Sequence, residues 1–238
     1  MTYSVGYVSC GGNGPSLAGY HGPVYEIRNT SNSISPCEGY QRILNSTEST
    51  DIIVYIHDDV TIHDPQWLNR VLRAFSQDGI EKHMSDVIAV GLGGALSLGN
   101  KDLYRKPYDI RNMARGHYAS NQDDWQIHGG HFTGVRRVAT IEQFFMAVRT
   151  DWLRSRGGWP TKHLTHHMLD AWLACEAARD NKEIWMTGVS CTHHGGGSST
   201  KPIYKDAKWL QAGSMESDHI LPHLWIYNEY RNVLPIEV

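Results

Sequence analysis

The sequence predicts an α/β domain built on a mixed, mostly parallel sheet, and three observations carry that expectation. Asp51–Ile56 (DIIVYI) is a continuous apolar run of strand length, which suits a strand buried on both faces of a parallel sheet. Similar runs occur at Ser4–Ser9 (SVGYVS) and Asp86–Val90 (DVIAV). Segments with helical period, Glu38–Asn45 and Asp64–Phe75, lie between them. Strands alternating with helices through residue 90 place helices on the faces of one sheet.

Taken in order, Ser4–Ser9 is closed by Gly11-Gly12-Asn13-Gly14, a run of turn formers. Val24–Arg28 is a second strand, followed by a turn-rich stretch to Pro36. Tyr40, Ile43 and Leu44 fall on one face of the first helix. In Asp64–Phe75, Asp64 can cap, Pro65 suits the first turn, and Trp67, Leu68, Val71, Leu72 and Phe75 form the apolar side. Lys101–Val135 is polar, aromatic and His-rich with weak periodicity, as in a functional insertion. Ala139–Val148 reads as a strand, Thr165–Arg179 as an amphipathic helix, and Ile184–Val189 as a further strand. Ser190–Lys205 is rich in Gly and Ser, and one helix is expected around Leu221–Tyr230. The expected organisation is a main domain over 1–205, with halves meeting near residue 100, and a C-terminal extension, 206–238, packing on it.

Composition narrows the class. The 238 residues carry 22 Lys+Arg against 25 Asp+Glu, a formal net charge of −3, which argues against a generally basic nucleic-acid coat. Hydrophobic residues at 40% and charged residues at 20% are those of a folded chain. Cys10, Cys37, Cys175 and Cys191 show no C-x-x-C spacing, so no zinc ribbon or thioredoxin motif is expected, and their settings suit reduced thiols. The opening MTYSVGYVSC lacks a basic n-region and a long apolar core, so no signal peptide is expected. No apolar run reaches about 20 residues, so no membrane span is expected. Together these suggest a cytoplasmic protein, or one of the host cytoplasm if phage-encoded.

Ligands of α/β sheets collect at the carboxyl ends of strands. The chemistry-bearing residues here cluster at such ends. Asp58 and Asp59 follow DIIVYI directly. Adjacent carboxylates are costly unless a cation or solvent neutralises them, and Mg²⁺ or Mn²⁺ takes such oxygen ligands together with those of a diphosphate. The alternative is a solvated turn with a capping Asp. His193 and His194 end the strand after Ile184 and precede Gly195-Gly196-Gly197-Ser198. A neutral imidazole there can complete a metal shell with Asp59, and the glycine loop can offer N–H groups to phosphate. An exposed His pair before a linker is the bland alternative. Asp170 stands early in a helix beside His166 and His167, as a partly desolvated general base or as a helix-terminal carboxylate favoured by the macrodipole. Trp125, Trp152, Trp159 and Trp172 could be stacking platforms or core. Neither G-x-S-x-G nor H-E-x-x-H occurs.

The order of these motifs resembles the GT-A glycosyltransferases, particularly the family 2 type, over about residues 3–200. The resemblance is carried by His57-Asp58-Asp59-Val60 after a buried strand, by Gly157-Gly158-Trp159-Pro160, by Asp170 opening a helix, and by the late His193-His194-Gly-Gly-Gly-Ser198. It implies a nucleotide-sugar half over about 1–100 and an acceptor half over about 101–205. Asp58 and Asp59 match the DxD-type motif that holds metal and donor, with His57 at its often acidic first position. Asp170 matches the base of inverting members. His193 matches the late histidine on metal or diphosphate, with His194 in competition. Ser9 and Cys10 lie where the first strand meets the nucleotide, and Glu26 and Asn29 are the candidates for reading uridine or ribose. Ser198 falls in the diphosphate loop.

The implied activity is metal-dependent, inverting transfer of one sugar from a nucleotide-diphospho-sugar, a UDP-sugar first, with Mn²⁺ or Mg²⁺. The acceptor class stays open among saccharide, protein and a hydroxylated base in DNA. DNA is admitted by the locally basic 101–137 stretch, with Lys101, Arg105, Lys106, Arg111, Arg115, Arg136 and Arg137. Two other classes compete: a non-catalytic nucleotide- or sugar-binding module on the same scaffold, and a nucleotidyltransferase. The absence of Lys or Arg beside Gly11-Gly12-Asn13-Gly14 counts against the second.

Overall fold

The computed structural model describes residues 1–9, 13–31, 33–76, 86–99, 118–119, 130–194 and 215–238. Seven strands form one sheet in the order Val135–Val138, Glu183–Thr187, Val87–Gly91, Phe145–Arg149, Ile52–Ile56, Tyr3–Ser9 and Val24–Arg28. Tyr3–Ser9 pairs in parallel with both Val24–Arg28 and Ile52–Ile56, and Glu183–Thr187 in parallel with Val87–Gly91. Phe145–Arg149 runs antiparallel to Ile52–Ile56 and to Val87–Gly91, and Val135–Val138 antiparallel to Glu183–Thr187. Most of the sheet therefore shares one direction, as the sequence leads one to expect.

Ile52–Ile56 is buried at every position. Successive side chains of a strand point to opposite faces, so one run feeds two cores. Ile53 and Tyr55 join the core under helices Pro36–Ser46 and Leu169–Arg179. Ile52, Val54 and Ile56 join the core under helix Trp67–Ser76. Each helix shows its cause in sequence. Ser35 caps the first, its Oγ accepting from the Glu38 amide at 3.1 Å, in an S-x-x-E pattern with Pro36 in the first turn. Asp64 precedes the second. Its Oδ1 accepts from the Gln66 amide at 2.8 Å and its Oδ2 from Arg70 Nε at 2.6 Å, and regular helix begins only at Trp67.

Three expectations need correction, and one alternative left open is decided. Ala139–Val148 is not one strand. Thr140–Ile141 pairs with Gly94–Ala95 in a small second sheet, and the chain turns at 142–144 before Phe145 enters the central sheet. The helix expected from Thr165 starts at Leu169, because Met168 has a left-handed backbone (φ 71°) that no helix continues. That helix is also not amphipathic: Leu169 through Ala177 are all buried, between the sheet on one side and the C-terminal segment on the other. Among the tryptophans, Trp152, Trp159 and Trp172 are core residues, and Trp159 meets Tyr40, Tyr55 and Trp172 edge-on or tilted, so these three are not stacking platforms. Trp125 lies outside the described residues.

The C-terminal helix Met215–Tyr230 and strand Ile236–Glu237 are built into this fold. The strand pairs with Ser97–Leu98, Ile226 and Tyr230 are buried, and Trp225 stacks on His163 at 4.5 Å with planes 3° apart. The Tyr230 hydroxyl donates to buried Glu176, and the Arg179 guanidinium lies 4.3 Å from the Tyr230 ring centroid. Burial, then the Glu176 carboxylate, push the Tyr230 hydroxyl far up, so it stays a donor. Burial likewise pushes up the Cys37 and Cys175 thiols, which keeps them protonated and poorly reactive in the core. No helix among the described residues is long and apolar enough to cross a membrane.

The first strand and first helix approach closely through two glycines. A Cβ on Gly39 would lie 2.4 Å from Val8 Cγ2, and one on Gly6 would lie 2.5 Å from Ile43 Cγ2. Gly39→Ala gains up to about 1 kcal/mol of helix propensity but overpacks the contact at about 1–3 kcal/mol. The net expectation is destabilisation, read as a lower urea midpoint at unchanged m-value.

Candidate metal and transfer site

The site begins where the buried strand ends. After Ile56 the His57 amide donates to the Phe144 carbonyl at 3.0 Å, the chain turns through Asp58 and Asp59, and Val60–Ile62 runs on into a three-stranded sheet. In that sheet Val60–Ile62 pairs with Cys191–His193 in antiparallel register, with His193 opposite Val60. The ladder is extended by the His194 amide donating to the Asp59 carbonyl at 2.9 Å. Two segments distant in sequence, Val60–Ile62 and Cys191–His193, are thereby locked one residue from Asp59.

Side-chain alternation then selects between the two histidines. His193 Nε2 lies 3.3 Å from Asp59 Oδ1 and 3.4 Å from His57 Nδ1. His194 Nε2 instead meets Thr61 Oγ1 at 3.1 Å, as His63 Nε2 meets Thr192 Oγ1 at 2.9 Å on the same ladder. One ligand atom each from His57, Asp59 and His193 lie within 4.8 Å of one another. Ligands held at about 2.0–2.2 Å from a divalent ion stand about 3.0–3.5 Å apart, so the two shorter separations fit a shared ion. All three side chains are half-buried. The Phe144 ring lies against His193, 4.9 Å between centroids with planes 19° apart, and fixes the imidazole plane. His57 enters this cluster as a third candidate ligand. Its signal in sequence was its place at the end of a fully buried strand.

Beside the cluster is a polar group on the first two strands. Tyr7 and Glu26 are direct partners in the parallel ladder, and Glu26 Oε2 accepts from Arg28 Nε at 2.9 Å. The Tyr7 hydroxyl is pushed up first by burial, then by Glu26 and also by Asp58, against the opposing pull of Arg28. Asp58 therefore lies in the electrostatic neighbourhood of Tyr7 and Glu26. Ser9, buried, ends the first strand, and its carbonyl accepts from the Asn29 amide at 2.7 Å. The Asn29 side chain is committed to its own loop. It donates to the Ile34 carbonyl at 2.7 Å and accepts from the Ser33 and Ile34 amides, and the residue is 2% exposed. This is a turn-holding role, which sets it apart from Glu26. Cys10 and Ser198 lie outside the described residues.

Asp170 is buried at the first turn of helix Leu169–Arg179, its Oδ1 2.9 Å from the Ala171 amide that it accepts from. The loop before it is tied down twice. The Cys37 amide donates to the Thr165 carbonyl at 2.8 Å. Gln143 Nε2 donates to the His166 carbonyl at 2.6 Å, while Gln143 Oε1 accepts from the Leu169 amide at 3.3 Å. The rings of His166 and His167 stand 4.4 Å apart. Nothing in the sequence singles out Gln143 except that it interrupts an apolar run. Of the basic 101–137 stretch, Arg137 pairs with Glu183 at 3.3 Å, and 101–115 lies outside the described residues.

Comparison with known proteins gives the following. The sequence model described as "Glycosyltransferase like family" matches residues 6–208. No curated protein matches. A solved structure titled "Crystal Structure of A197 from STIV" is similar to 82% of this chain and 87% of its own, at 11% identity and a TM-score of 0.45.

The geometry separates the histidines by experiment. At a Mn²⁺ concentration of a hundred times Kd, linkage adds about 2.7 kcal/mol, which raises Tm by roughly 5–10 °C for a chain of this size. The expected outcome is that His194→Ala keeps this rise, whereas Asp59→Asn and His193→Ala lose it.

Proposed function

Since the chain belongs to the glycosyltransferase-like family and has a GT-A fold, we propose that it is a metal-dependent, inverting glycosyltransferase moving one sugar from a nucleotide-diphospho-sugar to an acceptor hydroxyl. The observation that carries the reading is the cross-strand register that joins His193 to Asp59 and His57, with Asp170 anchored through the neighbouring Gln143.

His57, Asp59 and His193 would hold the divalent ion, which when bound offsets charge on the departing diphosphate. Two imidazoles and one carboxylate suit Mn²⁺ and its neighbours better than Mg²⁺, which prefers all-oxygen shells. Ser9, Glu26 and Asp58 are assigned to the nucleoside portion of the donor, a uridine diphosphate sugar being the first candidate. Cys10 and Ser198 keep the diphosphate-side roles the resemblance implies. Asp170 is assigned as general base. It takes the proton of the acceptor hydroxyl as that oxygen bonds to the anomeric carbon, while the bond from that carbon to the diphosphate oxygen breaks on the opposite face. The transition state is oxocarbenium-like, so positioning and fixed charges supply most of the acceleration. The acceptor is a hydroxyl of a saccharide, a protein or a hydroxylated DNA base. The pairing of Arg137 with Glu183 leaves the case for DNA resting on the remaining cations of 101–137.

The test is incubation with Mn²⁺ and a panel of nucleotide-sugars, then acceptors of each class. Nucleoside diphosphate release is expected with Mn²⁺ in preference to Mg²⁺. Asp170→Asn is expected to keep donor binding and to lower transfer by about 10²–10⁴-fold. An NMR spectrum of the product is expected to show inversion at the anomeric carbon. Retention overturns the inverting reading, and donor binding without turnover on any acceptor returns the chain to the class of binding modules.

A further inference from the structure

Two consecutive residues at the corner between the small and central sheets touch both halves of the proposed site. Gln143 and Phe144 are both buried, at 7% and 3% exposure. Phe144 accepts from the His57 amide with its carbonyl and stacks its ring on His193. Gln143 spans the turn ahead of Asp170, with one end of its amide on His166 and the other on Leu169. Between those two anchor points sits Met168, fully buried with φ 71°. A non-glycine residue stays in that region only where surrounding contacts over-determine it, and such residues cluster at functional sites. A buried amide is also expensive unless both of its ends are bonded. Here both ends are spent on the main chain of the one loop that delivers Asp170.

We infer that Gln143 and Phe144 are positioning residues forming a joint that fixes Asp170 relative to the His57–Asp59–His193 cluster, Gln143 acting on the base and Phe144 on the metal ligands. This rests on the functional reading above. The two side chains do different work although they are neighbours. Phe144 governs the orientation of His193, so its effect falls on metal affinity. Gln143 governs the first peptide of the Asp170 helix, so its effect falls on turnover once donor and metal are bound. A misplacement of about 1 Å at a reacting group can cost on the order of a hundredfold, and loss of an outer partner of a metal ligand costs about 10–100-fold in affinity.

The test is a crossed pair of variants: Gln143→Leu, which nearly keeps volume, and Phe144→Leu, which removes the ring at the cost of a small cavity. Mn²⁺ affinity is read by calorimetry without substrate, and kcat and KM by transfer at saturating Mn²⁺. Gln143→Leu is expected to lower kcat about tenfold to a hundredfold with Mn²⁺ Kd and donor KM within about twofold of wild type. Phe144→Leu is expected to weaken Mn²⁺ about tenfold, with kcat largely restored at saturating metal. Wild-type kcat in Gln143→Leu overturns the inference. So does a parallel fall of Tm, metal affinity and kcat in both variants, which is the mark of a general core lesion. Transfer that survives in Asp170→Asn overturns the functional reading and the joint with it. Asp170-dependent transfer that is indifferent to Gln143 overturns the joint alone.

Discussion

A carboxylate at the end of a fully buried strand is the constraint around which the rest of this protein is arranged. Ile52–Ile56 carries no exposed side chain, and the chain passes from it straight into His57, Asp58 and Asp59. Charge in that setting is costly unless polar or cationic groups meet it. The structure answers with chain from elsewhere. The Cys191–His193 strand brings an imidazole to Asp59, and the turn at 142–144 brings a carbonyl to the His57 amide and a ring to the face of His193. The small three-stranded sheet is the device that makes this encounter reproducible, because its hydrogen-bond register sets His193 opposite Val60, next to Asp59.

Much of this was legible in sequence, for a physical reason. A five-residue apolar run has few uses besides a central strand, so DIIVYI identified the sheet, and the strand-end rule pointed to Asp58 and Asp59 as candidates. The choice between His193 and His194 was not legible. It depends on register, a property of two distant segments together and of neither alone. Asn29 shows a related limit: a polar residue after a strand can serve a ligand or its own loop, and its side-chain bonds here go to its own loop. The tryptophans left platform and core both open, and the structure decides for core at Trp152, Trp159 and Trp172, Trp159 following the turn at Gly157-Gly158.

Helix Leu169–Arg179 shows the same limit from the other side. The expected helix, Thr165–Arg179, reads as amphipathic in sequence. Its two carboxylates are in fact buried and bonded, Asp170 to the Ala171 amide and Glu176 to Tyr230 and Arg179. The helix is thus enclosed between the sheet and the C-terminal segment, and its one buried acid near the site is fixed at the end where the backbone amides of a first turn converge. What looks like an appendage in sequence, residues 215–238, supplies the outer wall that lets this helix lie inside the molecule.

The ladder that seats His193 has a consequence for how the protein tolerates change in length. Side chains on a strand alternate, so a slip of one residue moves every one of them to the other face. Next to His193 stands a second histidine. A slip of one residue in this strand, as from a deletion in the stretch Gly188–Ser190, would set His194 where His193 now stands. The doubled histidine thus offers an imidazole in either of two phases of the same strand.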